Sequence, residues 1–299
     1  MKKQLAPIVI FAFNRPMALT RMIESLKKND LFNDSDIFVY VDGARNPQEQ
    51  KKVNQVIDIA KSLTTNVFAS NENKGLGPSV IHGISEIINR YGKIIVLEDD
   101  LILMPGFLTY MNQALNRYES DERIFSVCGY GLRINRPKEY KGDVYLNNRS
   151  SSWGWGTWKD RWNSVDWDVK DWDQLTRNHT MQRAFNKGGS DMYGMLKDYM
   201  EGRNKSWAIR FCYSQFKNKM YSVHPFHSLV DNEGFGLEAT NCKQHYSRFK
   251  IILNKSNTVL DLPDYLILNP KILKENAFYH SLLLRTYSFI RNFKNRVLR

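Results

Sequence analysis

The sequence predicts an α/β fold built on a mostly parallel sheet flanked by helices, and three observations carry that prediction. Short β-branched and aliphatic runs alternate with segments of about 12 or more residues whose apolar positions recur at helical spacing. Turn residues stand where each run ends. The run Ile94-Ile-Val-Leu97 is continuously apolar, as expected of a strand covered on both faces. Such alternation implies βαβ units, and crossovers of that kind leave neighbouring strands parallel.

Residues 7–13 read as the first strand, and Asn14-Arg15-Pro16 opens a turn. Leu19, Met22, Ile23 and Leu26 predict a helix over 17–28. A second strand over 36–41 is closed by Asp42-Gly43, and a helix over 48–63 and a short strand over 66–69 follow. Gly75-Leu-Gly77-Pro78 opens a helix over 79–91, and the strand over 93–97 ends in Glu98-Asp99-Asp100. One more strand is expected over 123–129, after which the chain becomes aromatic, loop-rich and mixed.

Hydrophobic content of 42% and charged content of 25% are ordinary for a globular protein. Cys128, Cys212 and Cys242 are odd in number and widely spaced, which predicts buried thiols in a reducing compartment. The apolar run after the N-terminus is too short for a signal-peptide core, and no stretch reaches the roughly 18 apolar residues of a membrane span. A cytoplasmic protein, or one held at the inner membrane face, is expected. The net charge of +12 is uneven, with 11 Lys/Arg against three acidic residues over 243–299. These basic residues sit on an apolar-rich tail rather than a nucleic-acid module, so nucleic acid is not an expected partner. Over 277–299, apolar residues at helical spacing alternate with Arg285, Arg291, Lys294, Arg296 and Arg299. Two readings stay open: an amphipathic helix on an anionic membrane surface, or a helix packed on the protein's own core with a solvated basic face.

Three adjacent carboxylates at a strand's C-terminal end repel one another and call for a counter-charge. In open α/β sheets this edge binds ligands, and oxygen ligands such as Asp99 and Asp100 suit Mn²⁺ or Mg²⁺. A solvated acidic turn is the plainer alternative. Three further features end on the same edge. Asn14-Arg15 and Asp42-Gly43 can meet a nucleobase, ribose or phosphate, and Lys74-Gly75 stands before a helix N-terminus, which favours anions. Each alone reads as a turn or cap; together they fit a nucleoside diphosphate. Six of the seven tryptophans fall within 153–172. Indole faces stack on sugar C–H faces, so Trp153 and Trp155 are candidates for the site, while Trp158 and Trp162, at i and i+4, read as packing residues.

The segment Leu97-Glu98-Asp99-Asp100-Leu101, followed by Pro105-Gly-Phe107-Leu-Thr-Tyr110, resembles the metal-binding segment of the N-acetylglucosaminyltransferase that begins complex N-glycans. With Trp153-Gly-Trp155-Gly, Ser206-Trp207-Ala-Ile-Arg210 and Asn232-Glu-Gly-Phe235, it is similar to bacterial family-two-like glycosyltransferases of GT-A fold. The likeness runs from about Pro7 to Cys242. It implies a hexosyl- or N-acetylhexosaminyltransferase that uses a nucleoside-diphosphate sugar, UDP-linked, and a glycan or lipid-linked acceptor, with inversion. It implies that Asp100 ligates the metal directly, that Glu98 and Asp99 face the ribose and metal-bound water, and that Arg15 and Asp42 lie around the base. Trp207 joins Trp153 and Trp155 as an acceptor-binding candidate. The expected organisation is a Rossmann-like nucleotide-sugar half over 1–130, an acceptor half of the same core over 131–250, and a basic tail over 251–299.

One departure stands out. Lys205 occupies the position just before Ser206-Trp207 where the relatives carry the acid that serves as general base. A lysine takes a proton only if burial lowers its pKa, so Glu201 is the first substitute, then Asp191 and Asp198. Asn241 stands where a histidine is common, with His245 nearby. A nucleotidyltransferase is a weaker reading, because Phe13-Asn-Arg-Pro-Met lacks the glycine-rich loop it would need. A non-catalytic glycan-binding protein stays open because of Lys205.

Overall fold

Ile8, Ile10, Ile37, Val39, Ile95 and Leu97 point to one side of a sheet, and Val9, Phe11, Phe38, Tyr40, Ile94 and Val96 to the other. Both sets are buried, because continuously apolar strands need a helical layer on each face. The computed structural model describes residues 4–234, 247–251 and 259–297. Strands β1 (Ile8–Ala12), β2 (Ile37–Val41), β3 (Val67–Ala69) and β4 (Lys93–Glu98) are parallel, linked by α1 (Pro16–Leu26), α2 (Pro47–Leu63) and α3 (Leu76–Tyr91). Next come β5 (Leu101–Leu103), α4 (Phe107–Arg117), β6 (Ile124–Cys128), β7 (Val144–Asn147) and β8 (Trp155–Trp158). Five helices follow: α5 (Lys159–Asn163), α6 (Trp172–Arg177), α7 (His179–Phe185), α8 (Met192–Met200) and α9 (Trp207–Lys217). The order closes with β9 (Tyr221–Pro225), β10 (Val230–Asn232), α10 (Pro270–Tyr279) and α11 (Leu282–Val297).

The strand order is β3-β2-β1-β4-β8-β6-β9-β7, with β5 and β10 forming a separate antiparallel ribbon. Strand β8 inserts antiparallel between β4 and β6, so the two halves of the chain share one sheet. Helices α1, α2 and α4 cover one face and α3 and α9 the other. Local chemistry sets the helix ends. Proline at the first turn opens α1 and α2, and the Asn46 side chain caps α2 by accepting from Glu49 N–H. Helix α3 starts earlier than expected, at Leu76, because Gly75 takes φ +79 at the cap. The tail expected as one helix from 277 is two: α10 ends at Tyr279, and Ser281 Oγ accepts from Leu284 N–H as α11 begins.

The tryptophan block builds core. Trp158 and Trp162 are fully buried, as their i, i+4 spacing predicts. Trp155 is buried too, stacked on Trp207 at 5.4 Å and edge-on to Phe211 at 4.9 Å. This corrects the expectation that Trp155 and Trp207 offer faces to a ligand. Trp155 sits on β8 between β4 and β6, where its side chain points into the layer under α3 and α9 and both ring faces are used. Gly156 alternates to the other face, which leaves only Trp153 at the strand's open end. Replacing a fully buried indole leaves a large cavity. Trp155→Ala should therefore lower unfolding free energy by about 3–5 kcal/mol in denaturant titrations, and Trp155→Phe by clearly less.

Candidate active site

Because β1, β2 and β4 are parallel and in register (Ala12 beside Val41, Phe11 beside Glu98), the segments after them emerge on one edge. Arg15 lies at its centre. Its guanidinium bonds Asp99 with one nitrogen and Asp100 Oδ2 with the other, the latter at 2.9 Å. Phe13 N–H also donates to Asp99 Oδ2 at 3.3 Å. The side chain expected near the nucleotide base is thus committed to the carboxylates, and supplies part of their counter-charge. Asp100 keeps Oδ1 buried and without a hydrogen-bond partner. The end of β10 lies directly on Asp100: Glu233 N–H donates to its carbonyl at 2.9 Å, and a Cβ on Gly234 would collide with Asp100 Oδ2.

Asp42 organises the second turn. Its Oδ1 accepts from Gly43 N–H at 3.0 Å and Lys74 N–H at 2.9 Å, and its Oδ2 from Gly75 N–H at 2.9 Å and Asn73 Nδ2 at 3.0 Å. The carboxylate expected to accept from a nucleobase spends its lone pairs tying the Lys74-Gly75 loop to β2. It acts as a clamp that presents the N-terminus of α3. Gly43 is required there, since a Cβ would strike the Glu72 backbone. Asn14 Nδ2 donates to Glu49 Oε1 at 2.9 Å in the first turn of α2, where Arg45 also pairs with Glu49 and lies over the Phe13 ring.

Across the edge, Trp153 is half-buried and packs edge-on against Tyr130 at 4.5 Å and Phe249 at 6.2 Å. His224 holds this wall from below, its Nδ1 facing Tyr130 O at 2.9 Å and its Nε2 facing Arg149 O at 3.0 Å. Two carbonyl acceptors at hydrogen-bond distance favour the imidazolium, which can donate to both. Burial opposes that charge, but the neighbouring Cys128 and the two carbonyls outweigh it and raise the His224 pKa. Cys128 and Cys212 are buried free thiols, as expected.

The three expected base candidates are all engaged elsewhere. Asp191 is locked to Arg149 at 2.7 Å, and Asp198 and Glu201 share Arg203 at the exposed end of α8. Lys205 is exposed, and its carbonyl borders Gly77 at the start of α3. Asp231, unmarked by any sequence pattern, lies on β10 opposite Ile102. Its Oδ1 is buried without a partner, and burial raises its pKa. A lone Asp after an apolar pair carries no spacing signal, although it stands one residue before the Asn232-Glu-Gly-Phe run. Phe235, Asn241, Cys242 and His245 lie outside the described residues.

Residues 8–194 match the Glycosyl transferase family 2 profile, more than half of the chain. The chain belongs to that family. It is 27% identical over 133 residues to the alpha-1,3-mannosyl-glycoprotein 2-beta-N-acetylglucosaminyltransferase of Arabidopsis thaliana, covering 38% of this chain and 29% of that relative. Its fold is similar to the crystal structure of GalNAc-T7 with UDP, GalNAc and Mn2+, with TM-score 0.51 and 11% identity over 78% of this chain and 44% of that one. A likeness to S. aureus TarS 1-349 has TM-score 0.45 and 10% identity, over 76% of this chain and 60% of that one. The chain therefore spans less than a third of the curated relative and under half of the GalNAc-T7 chain. The expected GT-A-type α/β fold is the one observed.

In this family 2 chain the acidic cluster is short of positive charge. Burial, then Asp100 and Asp99, push the Glu98 carboxyl up to about 8. Burial also pushes Asp99 up to about 6, outweighing the Arg15 guanidinium beside it. Among the described residues no three His, Cys, Asp or Glu side chains converge as a metal cage. The orphaned Asp100 Oδ1 nonetheless fits a cation held by one or two carboxylates, with waters and substrate phosphates completing the shell. Such binding must displace protons from the cluster. Mn²⁺ affinity should therefore rise with pH, first through about 6 and again through about 8, where Asp99 and Glu98 lose theirs. Calorimetric titrations in buffers of different ionisation heat would show net proton release.

Proposed function

We propose that the chain transfers a hexosyl or N-acetylhexosaminyl group from a UDP-linked sugar to a hydroxyl of a glycan or lipid-linked acceptor, with inversion. We place this chemistry in the cytoplasm, at the inner membrane face. The observation that carries this reading is the shared sheet edge. There the parallel strands bring together the clamped Lys74-Gly75 loop, the Arg15 bridge and the unpartnered oxygen of Asp100, and the half-buried Trp153 precedes β8, which pairs with β4. The Arabidopsis relative, named as an N-acetylglucosaminyltransferase, supports the class of group transferred.

Asp100, with Asp99 behind it, would hold Mn²⁺ or Mg²⁺, which when bound neutralises charge on the departing diphosphate. The N-terminus of α3 and Lys74 receive the phosphates, because free N–H groups and the helix dipole favour anions there. Trp153 stacks against the acceptor sugar. The acceptor hydroxyl gives its proton to a carboxylate as its oxygen bonds the anomeric carbon. The bond to the nucleoside diphosphate breaks on the opposite face, and the leaving group departs with the electron pair. Asp231 fits the base better than Glu201, Asp191 or Asp198. Its Oδ1 has no partner and its pKa is raised, whereas the other three are ion-paired.

Thermal-shift titration with UDP, GDP, CDP and dTDP sugars, with and without Mn²⁺, tests the donor, since a ligand of the native state raises its melting temperature. Asp100→Ala should remove the Mn²⁺-dependent part of that shift and leave the fold intact. Equal shifts with and without metal in the native protein would refute the site. For the base, Asp231→Asn should lower turnover about 10²-fold or more with donor affinity unchanged. Near-normal turnover in that variant, with loss in Glu201→Gln, would return the role to Glu201.

A further inference from the structure

Helix α11 turns its apolar side away from the protein. Ser288 is buried at 5% exposure, and Leu284 and Asn292 beside it are half-buried, so this is the face on the body of the fold. On the opposite side Leu283 is 68% exposed, Phe289 71% and Phe293 59%, with Leu282 and Ile290 also exposed. At 100° per residue these five positions fall within an arc of about 120°. The same register puts positions 285 and 296 at one border of the arc and 291 and 294 at the other, and all four are Lys or Arg. From Asn276 to Arg299 there is no Asp or Glu.

A folded protein rarely leaves several large apolar side chains outside on one face, and such a patch marks an interaction site. An apolar stripe bordered by basic residues suits a helix lying in the plane of an interface, its apolar face among acyl chains and its long cationic side chains reaching the headgroups. We propose that this face of α11 docks on an anionic lipid bilayer. A second copy of the chain is a poorer occupant, because two identical faces would bring cations against cations with no acid to offset them. The proposal goes beyond the transferase reading and does not depend on it, because docking is read without donor or turnover. If both hold, the site is carried to acceptors anchored in the membrane.

The test uses the full chain and vesicles of phosphatidylcholine with or without phosphatidylglycerol, read by co-sedimentation at low and high salt. Each basic residue near an anionic leaflet is worth about fivefold in partitioning, so the four should favour anionic vesicles by roughly several hundredfold, and high salt should release the protein. Leu283→Ser with Phe289→Ser and Phe293→Ser alters outward-facing side chains alone. It should cut vesicle binding at least tenfold while leaving thermal unfolding and the donor-induced shift unchanged. Arg291→Gln with Lys294→Gln and Arg296→Gln should abolish the anionic preference. Absence of binding to anionic vesicles at low salt would overturn the proposal. So would unaltered binding in the serine variant, its unfolding, or a concentration-dependent dimer that the serine variant loses.

Discussion

Burial of negative charge at the end of β4 is the constraint around which this protein is organised. Glu98 ends a strand whose four central residues are buried, Asp99 after it is buried, Glu98 and Asp100 are half-buried, and Arg15 pairs with Asp99 and Asp100. That bridge ties the turn after β1 to the turn after β4, and the parallel register of those strands makes it possible. One guanidinium against three carboxylates leaves the cluster protonated in part and one Asp100 oxygen unsatisfied. A site that is complete on its own would show neither feature. That imbalance is what the proposed cation would relieve, and a diphosphate could follow it to the same edge.

The rest of the architecture keeps that edge stiff. Strand residues alternate between two cores, so each strand is held from both faces and its end cannot shift without disturbing both. Asp42 does for the Lys74-Gly75 loop what Arg15 does for the acids, and His224 does the same for the loops that carry Tyr130 and Trp153. In each case a charged or doubly bonded side chain is spent on the protein itself, on carboxylates for Arg15 and on backbone groups for Asp42 and His224. Asp42 and Arg15 thus act as supports for the groups a ligand would meet, as well as lying close to it.

The parallel first half was legible because strand length, helix period and turn chemistry agree there, and helix ends fell within a few residues of those expected. The carboxylate edge was legible for the same reason, since chain order places every strand end on one side. The second half was not. Asp191, Asp198 and Glu201 were singled out by proximity to Ser206-Trp207, yet each is neutralised by an arginine that packing brings from elsewhere or that lies a few residues on. Asp231, the base we propose, is placed by a β5–β10 pairing across more than a hundred residues, for which a single sequence holds no signal.

Periodicity and composition established that the tail is amphipathic and basic, that the tryptophans cluster, and that the acids end a buried strand. They could not say what each face meets, because a period reports which residues lie on the same side and is silent about which side turns inward. The fold settled this in opposite directions for two segments. Trp155, expected beside a ligand, is enclosed by Trp162, Trp207 and Phe211, since β8 was drawn between β4 and β6. Helix α11 had two faces that the sequence could not rank, one apolar and one mixed. The face carrying Leu284, Ser288 and Asn292 is the less exposed one, and Leu283, Phe289 and Phe293 are left outside.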